Sequence, residues 1–126
     1  MTTEIDDLLA RARTELDVAN TLAVKFAAQS VGHCYYAAFF AAEAALLALG
    51  ESRSKHSGVL SAFGQVIVKQ GGFDQETGRL LRQLFERRNE ATYGTEQVDP
   101  DTADRAVADA RRFFEAVEVW LAGRPR

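Results

Sequence analysis

Cysteine, histidine and proline are scarce in this chain: one, two and two in 126 residues. The single Cys34 excludes an internal disulfide, and nothing in the cysteine usage points to secretion. Two histidines and one cysteine make no convincing zinc set, so no metal is implied. No glycine-rich phosphate loop follows a strand, and no serine, histidine and aspartate stand in a recognisable nucleophile motif. No cofactor is implied either. The charge leans only to −3, which argues against a generally basic nucleic-acid binder while leaving room for a local basic patch. The opening MTTEIDDLL lacks a basic region followed by an apolar run, so no signal peptide and a cytoplasmic location are expected.

What is abundant is apolar helix. Residues 34–49 read CYYAAFFAAEAALLAL, with Glu43 as the only charge. A helix apolar on all sides is normally buried. Glu43 near the middle argues against a membrane span, as does a length of roughly 24 Å against a hydrocarbon core of ~30 Å. The run is expected to be the central helix of a bundle, with alanines permitting close approach. Gly32 and Gly50 bracket it.

Before it, residues 3–26 carry Ile5, Leu8, Leu9, Ala12, Leu16, Ala19, Ala23 and Phe26 at helical spacing, with Thr3 as N-cap. After it, a polar connection leads to a helix over about 55–69, ended by Gly71-Gly72. Asp74 caps a fourth helix that runs to about Thr92. Asp99-Pro100 opens a fifth, closed by Gly123 and Pro125. Five helices joined by short connections predict one all-α antiparallel bundle over residues 1–126.

One residue breaks the pattern. In the fourth helix Leu80, Leu81, Leu84 and Phe85 define the apolar face, and Arg88 falls near its centre. On the structural reading Arg88 snorkels to water or pairs with Glu43. On the functional reading it points into a groove, beside Asn89, where a guanidinium grips phosphate with two prongs. Ser54-Lys55-His56-Ser57-Gly58 begins the third helix, where Lys55, hydroxyls and backbone N–H groups can hold an anion. Most such segments are only caps. His33 reads as an ordinary polar helix end.

Three segments together, SVGHCYYAAFFAAEAALLALG, SKHSGVLSAFGQVIVKQGG and LLRQLFERRNEATYG, resemble the HEPN superfamily over nearly the whole chain. The resemblance is to its small stand-alone branch with a Tyr-Tyr-Ala signature, a Lys-x-His-Ser-Gly segment and an Arg-x-x-Ala-Asp-Tyr motif. It implies a helical bundle that often dimerises. Many HEPN proteins are metal-independent RNases with an arginine, a following polar residue and a later histidine. Others are toxins paired with a small nucleotidyltransferase, and some only bind. Arg88 and Asn89 match the first two motif positions. Tyr93 stands where the histidine would be, and a tyrosine side chain is a poor base near neutral pH. Thr92, His33 and Phe40 stand where the branch commonly has Asp, Arg and His.

Two expectations follow. In the favoured one the chain is a dimeric module, without membrane contact, that binds nucleotide, RNA or a partner nucleotidyltransferase in a toxin–antitoxin-type system. Arg88 and Asn89 lie at its centre, with Tyr93, Lys55, His56 and His33 as binding residues. In the alternative it is a metal-independent endoribonuclease. There Arg88 and Asn89 are catalytic, and His56 or His33 substitutes for the missing histidine.

Overall fold

The computed structural model describes residues 3–53 and 55–124. Ser54, from the anion-binding segment, and Pro125, expected to close the chain, lie outside the described residues. The architecture is an all-α bundle: α1 (Glu4–Leu22), α2 (Ala27–Ala48), α3 (His56–Ala62) running into a π-helical segment (Phe63–Gln70), α4 (Gln75–Tyr93) and α5 (Pro100–Ala122).

Helix starts follow local chemistry. Thr3 and Asp6 form a reciprocal capping box at α1. The side chains of Asp74 and Asp99 accept from the Thr77 and Thr102 backbone N–H groups at 2.9 and 2.7 Å, satisfying donors that no helical carbonyl can reach. The Thr77 hydroxyl, with its backbone N–H, pulls the Asp74 carboxyl below the usual aspartate range, and the Thr102 backbone N–H does the same for Asp99. Gly50 and Gly72, at φ 74° and 73°, supply the left-handed turns after α2 and after the π-helical segment.

α2 is the hub and packs against every other helix. It runs antiparallel to α1: Ser30 Oγ donates to the Ala19 carbonyl at 2.6 Å, His33 meets Glu15, and Arg11 lies over the Phe40 ring. Burial pushes the Cys34 thiol up to about 12, so it remains protonated and inert. At the far end Phe63, Phe73 and Phe113 form an aromatic trio with centroids 5.2–5.9 Å apart. There the Trp120 indole N–H donates to the Gly71 carbonyl at 2.8 Å, and the stacked Arg124 guanidinium donates to the same oxygen.

The structure corrects several expectations. The sequence leaves the join of the first two helices open between Ala27 and His33; the structure puts it earlier, at residues 23–26, so α2 begins at Ala27 with no side-chain cap. Its start is set by packing on α1, and a lone glycine is tolerated inside a helix at ~1 kcal/mol. At 22 residues it spans about 33 Å, so length does not exclude a membrane span. Its apolar character is instead explained by the helices laid around it. α1 stops at Leu22, and Phe26 is 54% exposed at the N-cap of α2 instead of continuing the α1 stripe. The third helix is not uniform, because its second half winds as π-helix.

Candidate functional site

The site grows from adjacent tyrosines on α2. Successive helical residues point about 100° apart. Tyr35 therefore enters the core and is fully buried, while Tyr36 is left at the α2–α4 boundary, half-buried. Its hydroxyl accepts from Arg88 Nη2 at 3.2 Å, and the Arg88 guanidinium carbon lies 5.7 Å from its ring centre. Arg88 Nη1 donates to Asn89 Oδ1 at 3.2 Å. Both partners are neutral. Arg88 makes no ion pair within 4 Å among the described residues, so its charge is left for the groove it lines.

That groove has a volume of about 350 Å³ and lies between the start of α2 and the end of α4. Gln29, Gly32, His33 and Tyr36 line one side, with Arg88 and Thr92 on the other. The expected pairing of Arg88 with Glu43 does not form. Glu43 lies seven residues beyond Tyr36, about 10 Å along α2, and borders a different groove beside Arg11. Burial raises its carboxyl above the usual range, and Arg11 offsets this in part.

Arg87, next to Arg88, turns the other way and pairs with Asp109 of α5 at 2.8 Å. Two neighbouring arginines thus divide the work, one tying α4 to α5 and one facing the groove.

His56 lies behind the groove. Its ring stacks on Phe39 at 4.2 Å and meets the Tyr36 ring edge-on at 6.0 Å. Its Nδ1 lies 2.8 Å from the Tyr35 hydroxyl. Burial keeps Tyr35 protonated, so Tyr35 donates, Nδ1 accepts and Nε2 carries the ring proton. Burial first, and the Arg88 charge second, lower the His56 pKa.

The remaining residues are placed as follows. His33 lines the groove, with Nδ1 2.5 Å from Glu15. Tyr93 ends α4, is 75% exposed and is not in the groove lining. It stands five residues after Arg88, a rotation of about 140°, whereas Thr92 is four residues after and lines the groove. Lys55 is exposed as the N-cap of α3 and makes no side-chain capping bond. Tyr36 was not among the binding residues read from the sequence. Its signal in the sequence is its place beside Tyr35 in the Tyr-Tyr-Ala segment.

The described residues form an all-α bundle with an arginine-lined groove between its second and fourth helices. The sequence model of the HEPN domain matches residues 5–120, and the chain belongs to that family. Several relatives align over most of their own length. A UPF0332 protein of Thermotoga maritima is 38% identical over 86% of this chain and 83% of its own. The UPF0332 protein glr0978 of Gloeobacter violaceus is 35% identical over 97% and 99%. A Methanocaldococcus jannaschii protein named "Putative toxin MJ0605" is 29% identical over 94% and 89%.

Proposed function

We propose that this HEPN protein is a dimeric binding module for a phosphate-bearing ligand, with Arg88 as the gripping group. The ligand is an RNA or nucleotide, met alone or through a partner nucleotidyltransferase in a toxin–antitoxin-type pair. The supporting observation is the Arg88 guanidinium. It is oriented by Tyr36 and Asn89, neutralised by no carboxylate among the described residues, and set in an open groove. A guanidinium held this way is pre-organised for a phosphate oxygen pair. Asn89 orients it, and His33 on the opposite wall adds a polar contact. Exposed Tyr93 stacks on a base beyond the groove, and Lys55 contributes charge near the start of α3. The toxin names of two relatives support the toxin–antitoxin setting.

A second reading, a metal-independent ribonuclease, is favoured by one observation. The lowered pKa of His56 gives an uncharged imidazole near neutral pH within the field of Arg88. Its Nδ1 is engaged by the Tyr35 hydroxyl and its Nε2 carries the proton, so it takes a proton from a ligand only where Tyr35 releases Nδ1.

One experiment separates the two. A labelled mixed RNA pool is incubated with the protein and with Arg88→Ala, without divalent metal, and both retention and cleavage are read. Retention of intact RNA that falls at least about tenfold in the variant, equivalent to ~1.4 kcal/mol, is the expected result. Cleavage abolished by Arg88→Ala establishes the nuclease. RNA and nucleotides that neither bind nor react, even beside a partner nucleotidyltransferase, overturn both.

A further inference from the structure

A larger groove, about 540 Å³, lies between the π-helical segment and the N-terminal half of α4. It shares no lining residue with the Arg88 groove. Arg79 and Arg88 are nine residues apart, about 180° around α4, so the two grooves flank opposite faces of one helix. Its floor is apolar, with Val68 partly exposed above the buried Leu60 and Leu81. Lys69, Arg79 and Arg82 stand at its rim against the single carboxylate of Glu86. The three cations are exposed and make no ion pair among the described residues. This is a positive, apolar-lined groove on a chain whose net charge is −3.

We propose that this groove docks an acidic amphipathic helix of a partner protein. The charge complementarity sets the sign of the partner: carboxylates at the rim and aliphatic side chains inward. The lined stretch of α4, from Gln75 to Glu86, is about 17 Å long, which matches roughly three turns of partner helix. Gly64 opens the π-helical side, because a Cβ there would meet nothing within 4 Å. A single-stranded nucleic acid fits less well. The one aromatic in the lining, Phe63, is 1% exposed and cannot offer a face for base stacking. The π-helical winding widens the coil where the groove is cut, and such segments recur at functional sites.

The test uses a fluorescent peptide of about 16 residues, with leucines on one helical face and glutamates on the other, beside its lysine-for-glutamate counterpart. The glutamate peptide binds the full-length protein, more weakly as salt rises, and the lysine peptide does not. Arg79→Glu with Arg82→Glu weakens binding at least about tenfold, and circular dichroism checks that this variant folds. Gly64→Trp fills the groove and blocks the peptide without altering rim charge. Equal binding of both peptides, or binding indifferent to both variants, overturns the proposal. So does an Arg79- and Arg82-dependent RNA complex without peptide binding. Arg88 is untouched throughout, so the outcome is independent of the phosphate-binding reading.

Discussion

At the scale of the residue, the site is a matter of which neighbours are charged. Arg87 has a carboxylate at 2.8 Å and is spent on packing α4 to α5, while Arg88 has only a hydroxyl and an amide. His56 shows the same logic in a titratable group. Burial among the rings of Tyr35, Tyr36 and Phe39 penalises the charged imidazole most, the Arg88 charge adds to this, and the Tyr35 hydroxyl donates to the neutral ring. Its folded pKa therefore lies below the ordinary 6.5. The unfolded chain binds the proton more readily, so unfolding takes up a proton as pH falls. The His56 contribution to stability is complete above about pH 6.5 and shrinks as pH drops below it toward the folded pKa. Thermal melts between pH 7.5 and 5 are expected to show this loss. His56→Asn keeps an acceptor for Tyr35 but does not titrate, so its melting temperature is lower yet changes less over that window. An unchanged slope would assign the acid sensitivity elsewhere. Arg88 as the residue out of place was legible in the sequence, because helical spacing puts it on the apolar face. Its partner was not, since Glu43 and Tyr36 both lie on α2 and only the relative slide of α2 and α4 chooses between them.

At the scale of the element, two glycines on facing segments do opposite things. Gly78 on α4 lets the π-helical segment come close: a Cβ there would stand 2.8 Å from Val68 Cγ2. Valine is branched and stiff, so the strain passes to the backbone. Gly64, across the groove, faces open space. Gly78→Ala is expected to lower stability by about 1–2 kcal/mol through overpacking. Gly64→Ala is expected to raise it by up to ~1 kcal/mol through helix propensity and a less free unfolded chain. Urea titration of both variants checks the signs. The helix starts at Thr3, Asp74 and Asp99 were readable from sequence because capping is local chemistry. The start of α2 was not: no side chain caps it, and its first turn is tied to α1 by the Ser30 hydroxyl on the Ala19 carbonyl, a contact eleven residues apart. The π-helical winding of the third helix left no mark in the sequence pattern, because its apolar residues suit an α-helix equally well.

At the scale of the whole molecule, the net charge of −3 works against any anionic ligand. RNA binding centred on Arg88 should therefore depend on few phosphate contacts. With Arg88 and Lys55 as the cations, the slope of log K against log salt is expected to lie between about −0.7 and −1.4, one to two phosphate contacts on a single strand, and to shrink by about 0.7 in Arg88→Ala. Fluorescence anisotropy over a salt series measures it. A slope several times steeper would mean that a wider basic surface carries the binding. The acidic total does not reveal that cations gather along one side of α4, since charge counts carry no positions.

The sequence by itself determined that the chain is all helix, where most helices start and stop, and that one arginine has no place in an ordinary apolar face. These are consequences of spacing and of groups a few residues apart. The tertiary structure alone decided that α2 takes in residues 27–33, that Tyr36 rather than Glu43 meets Arg88, and that His56 is held neutral beneath Tyr35. It also placed Arg79 and Arg82 over a groove of their own. Each of these depends on how far one helix is slid and turned against another. That is set by packing of the whole core, and no short stretch of sequence contains it.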